Sequence, residues 1–419
     1  MGGELSMGNP SGPFRMIKNR QGIVAVIIAT ATVVFVSLAA LAIDLAHLFV
    51  VRNELQNAAD AGALAGARFL YDNNGTAVNA AANITAYNAA IANRSEQVPV
   101  EINWSGGNDG DVQRGHWSFA TRTFTPNVSL LPVSLWNTSA EELDQNPNFI
   151  NAVRVKTWRQ DRPAASFLAG IFGIKNFVLS SEAIGYIGFA GTVAPFEVDQ
   201  PVAICSQSIL SSDGKYSCTV GRMINSGHQV ATHETAGWTD YNQVNPCQGG
   251  TNANAVRSVV CSGGNPEPII LGAPVATNGG EIASAFKKFR DCWASKTGKN
   301  KPWNLTLLVI DCPGNNVGPC ETVVGAVTVN IVWITGEGED PKYNEAPTQM
   351  EKWSNQDPDG RIRWTSFVQN FGLKNLDNTP APYEKKSIYF LPDCSPHNPT
   401  GRTGGDNFGI LAKIPVLVK

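Results

Sequence analysis

The feature that most constrains this chain is an unbroken apolar run, GIVAVIIATATVVFVSLAALAI, over residues 22–43. It contains no charge and no proline, and as a helix its 22 residues extend about 33 Å, the thickness of a bilayer's hydrocarbon core. Arg15, Lys18 and Arg20 precede it without a nearby acid, whereas Asp44 opens a flank of mixed charge. Under the positive-inside rule, residues 1–21 form a cytoplasmic tail, 22–43 a single transmembrane helix, and the bulk of the chain is exported. Helix formers dominate after Asp44 and no proline occurs between Lys18 and Tyr71, so the helix is expected to continue as a rod through 44–72.

The same run admits two cleaved alternatives. Ala40-Leu41-Ala42 fits a signal-peptidase site, although the apolar run is longer than signal peptides need. A basic stretch ending in Gly22 resembles a prepilin leader, but Ile27 stands where type IV pilins carry glutamate.

Cysteine placement points the same way as the topology. All eight, Cys205, Cys218, Cys247, Cys261, Cys292, Cys312, Cys320 and Cys394, fall in the second half, and no C-x2-C pair suggests a metal knuckle. Disulfides in an oxidising compartment are expected, with about a hundred pairings open. The formal charge of −3 provides no basic field, which argues against nucleic acid as a partner.

After the rod, TAVNAAANITAYNAAIANR (76–94) reads as a second helix. VPVEINW (98–104), HWSFATRTF (116–124), AVRVKTW (152–158) and FVLSSEAIGYIGF (177–189) read as strands, with AASFLAGIFG (164–173) as a helix between the last two. A small α+β domain over 73–195 follows from this order. The prolines of VAPFEVDQP (193–201) mark a boundary to a β-rich, disulfide-containing domain over 196–419. There, 279–296 reads as a helix with a stripe at Ile282, Phe286 and Phe289, and 304–311, 322–335, 386–391 and 407–419 read as strands.

Reactive motifs are incomplete. His233-Glu234 begins like a zincin helix, but Gly237 occupies the second histidine's place, and His228 lies in a Gly/Ser-rich loop. Asn355, Asp357, Asp359 and Gly360 imitate the start of a calcium loop, but its closing glutamate is replaced by Ser366. Neither a nucleophile elbow nor a P-loop is present. These absences assign no catalytic residue, no metal, no cofactor and no small-molecule substrate.

The rod itself is more specific. Asp60, Gly62 and Gly66 lie with Ala58, Ala59, Ala63 and Ala65 on a flank of little bulk. Gly62-x-x-x-Gly66 lets another helix come close, and each glycine costs up to about 1 kcal/mol against alanine, a loss that packing should offset. Alanine chosen for helix propensity alone is the competing explanation. Asp60 is expected to meet a partner's donor or cation.

Together, Arg20-Gln21-Gly22, the span, and AIDLAHLFVVRNELQNAADAGALAGA (42–67) with Asp44, Arg52, Leu55, Gln56, Ala59, Asp60, Ala63 and Ala65 closely resemble the N-terminal segment of TadG-like proteins of the bacterial tight-adherence (Flp) pilus assembly system. GHWSFATRTF, NAVRVKTWR, FLAGIFG and SSEAIGYI give a looser echo of the family's periplasmic part. The von Willebrand A domain of some members is not carried over, because DCPGN after Asp311 lacks the D-x-S-x-S motif. The resemblance implies a single-pass inner-membrane protein that supports pilus assembly without enzymatic chemistry. Asp44, Arg52, Gln56, Asp60, Gly62 and Gly66 would serve helix packing, toward other assembly proteins or a second copy, with the lipid bilayer as the other partner. A cleaved pilin-like or surface-adhesive subunit and an anchored periplasmic binding protein or enzyme are the alternatives.

Overall fold

The computed structural model describes residues 20–72, 77–136, 138–209, 216, 223–225, 235–243, 247, 249–280, 282–313, 316–336, 341–375 and 378–419. Its first element, α1 (Arg20–Arg68), is one continuous helix of 49 residues. The two halves of α1 have opposite surroundings. Through the apolar run nearly every side chain is exposed, Phe35 at 71%, whereas Val51, Leu55, Ala58, Ala59, Ala63 and Ala67 are fully buried. Those buried positions recur at three- and four-residue spacing, the period of one helix face.

That face lies on a small sheet. After α1 come α2 (Ala82–Ile91), the two-residue strands β1 (Arg94–Ser95) and β2 (Val98–Pro99), then β3 (Val112–Ser118) and β4 (Thr123–Pro126). Next come α3 (Ala140–Gln145), β5 (Ala152–Ala165) and β6 (Asn176–Tyr186). Ser139 and Glu142 form a capping box that starts α3. Along β5 burial alternates, and Val153 and Val155 join Ala59, Ala63, Ala82, Ala86, Ala90, Val112 and Ala183 in one core between the helices and the sheet.

The second body begins at β7 (Thr192–Val193), followed by β8 (Val202–Cys205), β9 (Met223–Asn225), β10 (Thr235–Thr239) and α4 (Ala253–Val259). It continues through β11 (Ile269–Ile270), β12 (Pro274–Asn278), α5 (Ala283–Thr297), β13 (Trp303–Asp311) and β14 (Cys320–Ile334). The chain ends with α6 (Gly360–Asn370), β15 (Ser387–Phe390), β16 (Ser395–Pro396) and β17 (Val416–Leu417). Eight of these strands form a sheet in the order β12-β10-β8-β13-β14-β15-β9, with β16 on β14. Since β14 also pairs with β12, and β9 with β10, the sheet closes on itself and leaves few free edges. Aromatic side chains fill the core, among them Trp238, Phe286, Phe289, Trp293, Trp333, Trp364 and Phe367.

Several elements differ from the sequence reading. The expected helix at 164–173 is absent, because Ala164 and Ala165 extend β5 and only Ala169–Phe172 makes a short 3-10 turn. Of 98–104, only Val98 and Pro99 form strand, and Glu101 adds an isolated bridge to Trp158. The rod 44–72 and the domain 73–195 share a core and form one unit. Of 407–419 only β17 is strand, and it pairs with β6 in the first sheet, so the chain's last residues belong to the first body. At 355–366, the Asn355, Asp357 and Asp359 side chains each accept the backbone N–H two residues on, and Asp359 caps α6. Polar residues in sequence made that stretch resemble an ion loop, but their acceptors start a helix.

Among the described residues three disulfides have both partners placed, Cys205–Cys312, Cys247–Cys320 and Cys261–Cys292, closing separations of 107, 73 and 31 residues in the second body. Cys394 is also disulfide-bonded, and Cys218 lies outside the described residues. Cys205 and Cys312 are both fully buried, whereas the other two bridges reach solvent. Graded reduction of the folded protein, followed by alkylation and peptide mapping, should therefore open Cys247–Cys320 and Cys261–Cys292 before Cys205–Cys312. Loss of the last should cost about 2–5 kcal/mol in denaturant unfolding.

The linker between the bodies is held by Glu197, whose carboxylate accepts the N–H groups of Ala194 and Thr400, both at 2.7 Å, and faces His397 at 3.4 Å. Burial alone would raise its pKa, but these partners outweigh burial and lower it from 4.5 to about 2. A depressed carboxylate adds stability at pH above its unfolded pKa and loses it as pH falls toward the folded one. Acid titration of the intact chain should show stability falling between about pH 4.5 and 2, and Glu197→Gln should flatten that limb.

Candidate functional site

The region that joins the exposed and buried halves of α1 is the most densely bonded part of the helix. Asp44, the first acid after the apolar run, is only 3% exposed. Its carboxylate accepts the N–H groups of Phe167 (2.8 Å), Leu168 (3.2 Å) and Ala169 (2.6 Å) and the Ser166 hydroxyl (3.1 Å). Burial works against ionisation here, but the donors from Ala169, Phe167, Leu168 and Ser166 outweigh it and hold the carboxyl below its ordinary range. The loop that connects β5 to β6 is thereby fixed against the point where α1 leaves its apolar segment.

One turn further on, His47 bonds Glu96 at the β1–β2 turn and packs edge-on against Phe167, ring centroids 4.7 Å apart. Glu96 also pairs with Arg159 at 3.2 Å and gives its N–H to Glu54, and Arg159 donates to the Ser95 carbonyl at 2.6 Å. Glu96 and Gln97 both adopt positive φ, 48° and 65°, as a two-residue hairpin turn with this twist requires. Non-glycine residues are strained there, and the ion pairs and the Glu54 bond hold the turn in place.

Beyond the clamp, the sheet bonds to the helix backbone. Thr157 donates to the Leu55 carbonyl (2.9 Å) and Ser181 to that of Arg52 (3.2 Å), while Gln56 donates to the Glu182 carbonyl (3.2 Å). The Arg52 side chain itself is exposed. Gln56 also donates to Asp60 at 2.8 Å, so the half-buried Asp60 has a donor four residues away on its own helix. Gly62 and Gly66 are buried against α2 and β5. A Cβ added at Gly66 would stand 2.7 Å from the Ala86 Cβ and 2.8 Å from a Val153 methyl, and one at Gly62 would stand 2.9 Å from the Ala90 Cβ. Another helix does come close to this flank, but it is α2 of the same chain, so the flank is not open to a second protein. Asp44 and Asp60, about 24 Å apart along the helix, share no reaction centre.

His228, His233 and Glu234 lie outside the described residues. Among the described residues, no group of three or more His, Cys, Asp or Glu side chains is placed to hold a metal ion. Ser166, Thr157, Ser181, Glu96 and Arg159 act here without a local motif. Their sequence signal is strand pairing far from the helix they serve, 49 residues from His47 for Glu96 and 102, 122 and 129 residues from their helix partners for Thr157, Ser166 and Ser181.

What the fold and the helix exit define is an exposed apolar helix, a candidate membrane anchor, built rigidly into a small α/β packing module. Residues 22–68 match the Flp pilus-assembly TadE/G-like family, and residues 65–184 match the Tad-like Flp pilus-assembly family. The two matches together span residues 22–184 and agree with the TadG-like resemblance carried by the sequence. Residues 185–419 lie outside both matches, and no curated protein or solved structure matches the chain.

Packing at Gly66 is a direct test of the shared core. In denaturant unfolding of the full chain in detergent, Gly66→Leu should lose about 1–3 kcal/mol through overpacking. Gly170→Leu, where a Cβ meets nothing within 4 Å, should stay within about 0.5 kcal/mol of the parent.

Proposed function

We propose that this protein is an anchored, non-enzymatic component of the Flp pilus-assembly machinery of a bacterial inner membrane. In this reading α1 crosses the bilayer once at residues 22–43, residues 1–21 stay in the cytoplasm, and both folded bodies stand in the periplasm. The observation that carries the proposal is the continuity of α1. The same unbroken helix is bare and apolar for one half and is the centre of a folded module for the other. A bare apolar surface of that length is not maintained in water, and a core helix of a soluble protein would be covered.

Three further features support the reading. Cations precede the span and an acid follows it. Disulfides in the exported part suit an oxidising compartment. The two family matches meet at residues 65–68, inside the helix that joins anchor to module. Partners, whether other pilus-assembly membrane proteins or a second copy, would meet the exposed apolar half of α1 or the second body, since the Gly62/Gly66 flank is occupied.

N-terminal sequencing and intact mass of the membrane-extracted protein test the anchored form. The expected mature chain retains residues before Gly22 and resists alkaline extraction. A chain beginning at Ile23 would instead indicate a pilin-like subunit, and one beginning at Ile43 a released protein without the span. External protease on spheroplasts should remove residues beyond Asp44 and spare the tail.

A further inference from the structure

We propose that the tip of the β5–β6 hairpin, residues 166–175, is a second lipid contact, seated in the phospholipid headgroup region of the leaflet from which α1 emerges. The proposal rests on the membrane-spanning reading of α1 and adds a surface to it.

Position comes first. The 3-10 turn at Ala169–Phe172 lies against α1, and Asp44 bonds the tip at the end of the apolar run. Ala40, on the same face one turn earlier, is only 4% exposed, although its neighbours Ala39 and Leu41 are bare. The tip is bonded at Asp44 and α1 is already covered at Ala40, about 6 Å back toward the membrane, inside the apolar segment. A bilayer that surrounds residues 22–43 therefore meets this hairpin too.

Chemistry comes second. No charged residue occurs from Pro163 to Ile174, and Arg162 and Lys175 bracket that stretch as cations suited to lipid phosphates. Phe167 is 64% and Ile174 50% exposed, and on α1 Leu45 and Phe49, just beyond Asp44 in sequence, are bare as well. The backbone is prepared for a dry setting. The N–H groups of Phe167, Leu168 and Ala169 go to Asp44, that of Ser166 to the Lys175 carbonyl and that of Gly170 to the Ser166 hydroxyl. Those of Gly173 and Ile174 go to the carbonyls of Gly170 and Ala169. Loops enter lipid only when their polar backbone is satisfied internally, and Asp44 supplies the acceptors this one would otherwise lack.

The test places a nitroxide on a cysteine introduced singly at Phe167, Ile174, Val33 or Leu131 of the full chain. Among the described residues no native cysteine is free, and the parent chain carried through the same labelling gives the background. The proteins are reconstituted in phosphatidylethanolamine/phosphatidylglycerol vesicles, and collision with oxygen is compared with collision with a water-soluble nickel chelate. Val33 reports the span, and Leu131, beyond the opposite end of β5, reports water. Labels at 167 and 174 should favour oxygen as Val33 does, at shallower depth, with loss of nickel access relative to Leu131. Nickel access equal to that of Leu131, with Val33 in lipid, overturns the hairpin contact and leaves the anchor standing. Shielding from both reagents means that protein covers the tip, and likewise overturns it. A water-exposed Val33 overturns the anchor and the hairpin contact together.

Discussion

The structure depends on how one carboxylate is satisfied. Asp44 ends an apolar segment in which a bare charge would be costly, and its acceptors go to consecutive amides of a loop more than 100 residues later. Without that exchange both sides would suffer. The loop would hold N–H groups with no partner at the edge of an apolar region, and the helix would carry an unpaired buried charge. Satisfying each with the other lets α1 run without a break from apolar surroundings into a folded core. The His47–Glu96–Arg159 cluster and the Thr157, Ser181 and Gln56 bonds then continue the attachment along the next three turns.

A helix held at so many points works as a stiff lever. Orientation at one end is transmitted to the other, because no linker separates the apolar half of α1 from the module. A typical single-pass protein joins its anchor to its folded part through flexible chain, which allows free rotation. Here the sheet's position above the helix end is set by packing at Gly62 and Gly66 and by hydrogen bonds to helix carbonyls.

Much of this was legible in the sequence, and the limits have physical causes. The apolar run, the continuous helix and the long strands β5, β6, β13 and β14 announce themselves through local pattern. Gly62 and Gly66 sit close against α2 and β5, but small residues say nothing about whose helix will fill the space, and α2 is nearby and equally rich in alanine. The stretch 164–173 is apolar without helical period, and its conformation is set by an acceptor on α1 that no local window contains. Residues 407–419 look like a strand of the second body, but only Val416 and Leu417 form strand, pairing with β6 across the domain boundary, and Leu411 adds an isolated bridge to Phe189.

That last pairing bears on how the protein is made. β17 forms the edge of the first sheet beside β6, and Lys419 reaches Glu182 at 2.8 Å. The first sheet therefore lacks its outer strand until residues 416–417, about 230 positions after β6, have been made. The helices α1 and α2 can assemble early from local contacts, but the edge of β6 stays open while the long, disulfide-forming second body folds. An open strand edge invites wrong pairing during that interval. Closure by β17 makes completion of the first sheet a report that the residues between β6 and β17 have already been made.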